Sequence, residues 1–456
     1  MSEETSDPFN TEATLPPKPA LHLNATVGDP CAEPMPKTAL NLLDVVNLAL
    51  CHNPQTRTAW ANSRAQAAQV GVSKSGYLPS VILTDTASHN LSGGTSSADQ
   101  NNAGVTLSYL LYDFGSRSAN LENTRQLLAV ASATQDSTVQ AIFLAAVQAF
   151  YQTQSSYAAL DAAIESERAA KESFAAAEAR YNAGSATPAD KLQAQTAYSQ
   201  ATLNRISADG NLKNAQGTLA NMLGLDANQN ISLTAATGMA IPSNFEGDIN
   251  ALIDEARQRR PDLQAAAAQV KAAEASVDAA RAAGRPTISL TASANQINSG
   301  GLSSNSSLVG VNLTVPVFSG YAPTYRVRAA EAQVEAKTGQ LEQLRLQVAL
   351  DVWTAYQHLT TATQSLRTTA DLLDSAEQSE RVVLGRYKAG VGSILDVLNA
   401  QSALASARQQ RIQSALNWNI SRATLAQAMG SLDENLLQTL SDASGQKPDE
   451  NQSRKN

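Results

Sequence analysis

The chain has 456 residues, a net charge of −8, 5% aromatic residues and two cysteines. The acidic balance comes with no basic stripe or Arg-rich tract, which argues against nucleic acid as a partner. Scarce aromatics and abundant Ala argue against a compact enzyme and for long, closely packed helices with thin cores.

Residues 1–37 read as an extended, disordered arm, because Pro16, Pro17, Pro19, Pro30, Pro34 and Pro36 break any helix. The acidic, Pro-rich start shows no basic stretch followed by an apolar one, so no signal peptide is visible. No run of eighteen apolar residues occurs anywhere, so no transmembrane helix is expected. Cys31 and Cys51 are either two unrelated small residues or a disulfide that pins the arm to the first helix. Neither has metal-ligand spacing.

From about Leu40 to Ser75 the sequence turns helical, interrupted at Asn53-Pro54. A β-hairpin is expected over 77–114, with strands at about Ser80–Leu91 and Val105–Asp113 around a polar loop, Ser92–Gly104. After Gly115 no Pro or Gly occurs until Gly184, which predicts a helix of about 65 residues, on the order of 100 Å long. A second helix is expected from about Asp190 to Leu223, then a linker over 225–247.

The plan then repeats. Pro54 and Pro261, and Pro79 and Pro286, are each 207 apart. A second hairpin is expected over 285–318, with a Gly/Ser/Asn loop at Asn295–Ser307 and a strand running Val309 to Val317. A second long helix follows over about Thr324–Ala389, and a polar tail closes the chain. The clearest repeated phrase is R-Y-x-A-G-x5-D-x-L-x-A-Q, once from Arg180 to Gln195 and again from Arg386 to Gln401. Gly184 and Gly390 sit where a helix ends, and Asp190 and Asp396 where the next begins. Each copy therefore reads as the tip of a helical hairpin. The expected order is a first repeat over 38–224, the 225–247 linker, a second repeat over 248–430 and a tail over 431–456.

Two strands per repeat give four per chain, too few to close a barrel. The strand Val309–Val317 has one apolar face and one small, polar face. Two readings fit: a soluble β-layer packed on helices, or a lipid-facing strand whose barrel closes with strands of other chains.

In this order, and twice, these motifs resemble the TolC-type outer-membrane efflux and secretion proteins. The resemblance covers about residues 38–435. It rests on the duplicated tips, the N-P and R-P entries, Pro316-Val317-Phe318-Ser319-Gly320, and the closing L-G and M-G turns. Cys31, Ala49-Leu50-Cys51 and the stretch from Asn53 to Pro79 look like the branch of CyaE-type secretion proteins. The resemblance implies a mainly α fold with a small β part. It implies a homotrimer whose helical barrel joins a twelve-stranded β-barrel in outer-membrane lipid. It also implies a periplasmic adaptor and an inner-membrane ABC or proton-driven pump as partners, with no cofactor and no enzymatic activity. Family members are made with a signal peptide; the expectation here is a misassigned start or a trimmed chain.

No catalytic constellation stands out, and His22, His52, His89 and His358 are scattered, so no metal site is expected. The tips carry the functional signal. In a symmetric oligomer one Asp per chain becomes a ring of carboxylates. By resemblance, Tyr387, Asp396 and Asp190 match residues that hold the periplasmic entrance shut. Asn399 stands where the family has a second aspartate, and Gly392 where some members have an arginine. The plainer reading is that Asp190 and Asp396 stabilise helix N-termini. Pro188 stiffens the first tip, so the second, with Gly390 and Gly392, is expected to move. The competing class is a soluble coiled-coil scaffold that binds partners through its tips.

Overall fold

The computed structural model describes residues 7–11, 31, 39–90, 98–229, 231–234, 248–299 and 302–432. Most of the expected arm, the linker after 234 and the tail from 433 lie outside the described residues. Two compact units make up the chain, one containing Ala59–Gln135 and Pro261–Arg345, the other Asp136–Arg260 and the chain from Leu346.

Helices α1 (Leu42–His52) and α2 (Pro54–Ser75) meet at Asn53, as the Asn-Pro step requires. Helix α3 runs unbroken over Ser116–Asn182, 67 residues, and α4 covers Pro188–Met222. The second copy gives α5 (Ile249–Arg259), α6 (Pro261–Ala282), α7 (Ala322–Lys388, also 67 residues) and α8 (Ile394–Ala428, 35 residues, as in α4). Equal lengths in both copies go with the equal spacing of the closing glycines, Gly184 and Gly390, and Gly224 and Gly430, each 206 apart.

The first unit holds one antiparallel sheet, order β1-β2-β3-β4, over Ser80–Asn90, Ala98–Tyr112, Thr287–Ser299 and Leu302–Thr314. The central pairing, β2 with β3, joins one copy to the other. Three expectations are corrected here. The loop expected at Ser92–Gly104 is strand from Ala98 onward, and the loop expected at Asn295–Ser307 is strand except at 300–301, which lie outside the described residues. The strand expected to reach Val317 ends at Thr314, because Pro316 has no N–H to give a ladder. The polar segments are strands because they pair with each other: Asn101 faces Asn298, and Asn298 faces Ser303.

The turn from β2 into α3 is held by Asp113, which is buried. Its carboxylate accepts from the Gly115 and Arg117 backbone N–H groups, at 3.3 and 2.7 Å, and pairs with the Arg117 side chain at 3.2 Å. In the same unit α3 is tied to α6 by Asn123, whose Nδ2 donates to Ala272 O and Ser276 Oγ at 2.7 and 2.9 Å.

The second unit has an apolar core in which α1, α3, α4 and α8 contribute Val46, Leu50, Phe143, Val147, Leu219 and Leu416. Cys31 and Cys51 are disulfide-bonded within this unit. Of the two readings left open for these cysteines, the bonded one holds, and it fits an oxidising compartment.

Candidate functional site: the paired hairpin ends and the sheet face

Both tips are built the same way. At the end of α3, Gly184 takes φ +74°, its N–H donates to Tyr181 O at 2.9 Å, and Ser185 N donates to Arg180 O at 2.9 Å. At the end of α7, Gly390 takes φ +79°, and Val391 N donates to Arg386 O at 3.0 Å. This is the six-to-one closure that satisfies a helix's last carbonyls, and its left-handed residue favours Gly. Thr187 then caps α4 and Ser393 caps α8, each in a reciprocal box with Asp190 or Asp396.

The two boxes differ in tightness. Asp190 Oδ2 accepts from Thr187 N at 2.9 Å and from Thr187 Oγ1 at 2.8 Å. Those bonds, the backbone one foremost, hold the Asp190 carboxyl below its ordinary range. Asp396 Oδ2 accepts from Ser393 N at only 3.4 Å. A Cβ on Gly392 would come within 2.9 Å of Tyr387 N, so the second turn folds back onto its own helix and excludes any side chain there. The arginine that some family members carry at this position could not be accommodated in this turn.

The two hairpin ends of one chain pack together. Tyr387 is buried with Ala177, Ala194, Ile394 and Val397, beside Phe174 and Leu384. Arg180 lies over the Tyr387 ring, 4.1 Å from its centre, and its Nη2 donates to Tyr387 O at 2.5 Å. About two and three turns further along α3 from Arg180, Ser173 and Gln401 bond through Gln401 Nε2 at 3.0 Å, and the same Nε2 reaches Ala169 O at 3.5 Å. Within hairpin one, Lys191 pairs with Glu178 at 2.8 Å and stands 5.5 Å from the Tyr181 ring.

Of the residues singled out from sequence, Tyr387 is in this seam, while Asp396 and Asn399 are exposed beyond it and Asp190 is half-buried in its own cap. The seam also uses Ser173, Arg180 and Gln401. Arg180 and Gln401 were visible as members of the repeated phrase, but their pairing across a gap of more than 200 residues was not.

The sheet offers a second candidate surface. Directly paired residues project from the same face. One face carries the row Val81–Leu107–Ala292–Val309, flanked by Leu83–Val105–Ala294 and by Tyr109–Leu290–Val311. Val81, Leu83, Val309, Val311 and Leu313 on it are exposed. The other face is small or polar (Ser, Thr, Asn, Gly, with Ala98 and Gln100) apart from Ile82, Leu110, Ile297, Leu302 and Leu308, as in the row Thr84–Gly104–Asn295–Ser306. Strands β1 and β4 each have one neighbour, so both sheet edges are open within a chain.

Among the described residues no group of three His, Cys, Asp or Glu is placed to hold a metal. His52 contacts Leu48 O at 3.2 Å and His89 faces Asp99 at 2.6 Å. His22 lies outside the described residues. No described helix is long and apolar enough to cross a membrane.

Comparison with known proteins agrees with this architecture. The family model described as outer membrane efflux protein matches residues 45–225 and 252–431. Protein CyaE of Bordetella pertussis is 34% identical over 418 residues, covering 90% of this chain and 88% of its own. Outer membrane protein TolC of Escherichia coli K12 is 23% identical over 427 residues, covering 89% and 85%. Among solved structures, CusC superposes with a TM-score of 0.75 at 21% identity, covering 91% of this chain and 98% of CusC. The outer-membrane channel OprN gives 0.74 at 20% identity, covering 93% and 96%.

Proposed function

Because the chain belongs to the outer membrane efflux protein family, we propose that it is an outer-membrane exit duct. It works as a homotrimer and receives its cargo from a periplasmic adaptor and an inner-membrane pump. Cargo passes through without chemical change. The observation that carries this reading is the sheet: four strands, an exposed apolar face and two open edges. Such a sheet is stable in lipid only when other strands close it, and three copies supply twelve. A soluble scaffold gives no reason for that face. The likeness to CyaE-type proteins favours the type I secretion branch over drug efflux.

The hairpin ends serve as the duct's periplasmic entrance, and the second hairpin is the moving one. Its cap bond is the longer of the two, its turn carries Gly392 where the first has Ala186, and its helix starts with Ile394 where the first starts with Pro188. The test is conductance of the purified protein in planar bilayers. Replacing Tyr387 and Asp396 together by Ala removes the aromatic centre of the seam and one ring of carboxylates, and single-channel conductance should rise several-fold. An unchanged conductance would reduce both residues to local roles in their own helices.

A further inference from the structure

The seam between the two hairpins of one chain has a copy of itself left over. The phrase repeats at a spacing of 206, so Arg180 corresponds to Arg386 and Tyr387 to Tyr181. By the same spacing Ser173 corresponds to Ser379 and Gln401 to Gln195. All four counterparts have the same residue type as the originals. In the seam, Arg180 lies on Tyr387 and Ser173 bonds Gln401. The counterparts Arg386, Tyr181, Ser379 and Gln195 are exposed, and no hydrogen bond ties Arg386 to Tyr181 or Ser379 to Gln195 within the chain.

We propose that these four residues form the same two contacts between protomers: Arg386 of one protomer on Tyr181 of the next, and Ser379 with Gln195. The occupant of the surface is a second copy of this chain. The inference rests on the ring-forming duct proposed above. In a ring where hairpins one and two alternate, hairpin two has hairpin one of its own chain on one side and hairpin one of the neighbour on the other. The rotation that carries hairpin one onto hairpin two carries the Arg180–Tyr387 contact onto Arg386–Tyr181 of the neighbour.

The two seams are not equally filled. Ile394 and Val397, which pack inside the chain, correspond to Pro188 and Lys191. Lys191 already holds one side of the Tyr181 ring through its place beside Glu178, which leaves the other side for Arg386. The seam between protomers therefore closes on its polar and cation–ring contacts with less apolar burial, and it is the weaker of the two.

The experiment uses the full-length protein in detergent. Both native cysteines are in the disulfide, so introduced thiols are the only free ones among the described residues. The double variant S379C/Q195C is treated with a short bis-maleimide and run on a denaturing gel, alongside S173C/Q401C. The expected result is covalent dimers and trimers from S379C/Q195C, and a monomer-sized, internally linked product from S173C/Q401C. A protein that is trimeric by light scattering yet gives only monomer from S379C/Q195C, while S173C/Q401C still links, overturns the seam and leaves the duct standing. A protein that is monomeric by light scattering overturns the duct, and the seam with it. R386A and Y181A extend the test without thiols: each should make the trimer dissociate at several-fold lower detergent or denaturant exposure than R381A, an exposed arginine on the same helix outside the repeated phrase.

Discussion

At the scale of single residues, the most informative contrast is between Asp190 and Asp396. They occupy the same place in the repeated phrase, yet only Asp190 is gripped closely, at 2.9 and 2.8 Å by Thr187. Its carboxyl is held below its ordinary value, first by the Thr187 backbone N–H and then by the Thr187 hydroxyl. A depressed folded-state pKa means that the stabilisation is present above the unfolded value and is lost as pH falls through the folded one. Amide protection in the first turn of α4, corrected for intrinsic rates, should therefore hold above the ordinary carboxylate range and be lost as the pH falls below it. In Asp190→Asn that loss should disappear; a variant that keeps the same acid transition would assign it to another group. The same contrast bears on gating, because the tighter cap belongs to the hairpin proposed to stay still.

At the scale of elements, the helix entries show how a short sequence signal becomes a joint. Asn53 is buried between α1 and α2, and it does two jobs. Its Oδ1 accepts from Gln55 N at 2.9 Å, and its Nδ2 donates to Met222 O, the end of α4, at 3.1 Å. In the second copy the position is Arg260, which instead pairs with Asp351 at 3.0 Å. Asn53→Ala leaves a buried carbonyl and a helix N–H without partners, which costs about 1–3 kcal/mol. The urea midpoint of the purified protein should fall accordingly, while Asn53→Asp, which keeps the cap but not the donor, should fall by less. Equal losses in the two variants would mean that the cap on Gln55 contributes nothing and that the bond to Met222 carries the whole effect.

The helices were legible because their stops are chemical: Gly115, Gly184, Gly390 and the Pro entries are readable one at a time. The outer halves of the strands were not. From Ala98 to Gly104, Asn295 to Ser299 and Leu302 to Ser307 both faces of the sheet are small or polar apart from Ile297 and Leu302, so there is no sustained alternation to read. Those residues are strands because partner strands supply their hydrogen bonds, and one of the two partners of β2, β3, lies about 190 residues away. The seam at the tips was half legible for a related reason. Duplication displayed Arg180, Tyr387 and Gln401, but a repeated phrase says nothing about which copy's arginine lies on which copy's tyrosine.

At the scale of the whole molecule, the open sheet is the feature that the single chain cannot account for. Val311 is exposed in the apolar row, paired with Leu290, and Asn312 beside it points to the other face, paired with Ser289. If that apolar face meets lipid, an arginine at Val311 places a charge in hydrocarbon, at roughly 2–4 kcal/mol near the bilayer midplane. In a closed ring of three copies the penalty acts three times, so assembly should respond far more steeply than the stability of one chain. An arginine at Asn312 faces the interior instead, where water solvates it. Val311→Arg should therefore abolish most of the trimer recovered from outer-membrane fractions and most channel activity, while Asn312→Arg should assemble normally and alter ion selectivity towards anions. If the two variants assembled equally well, the face bearing Val309, Val311 and Leu313 would not be in lipid. A soluble β-layer would then have to explain why those side chains are exposed.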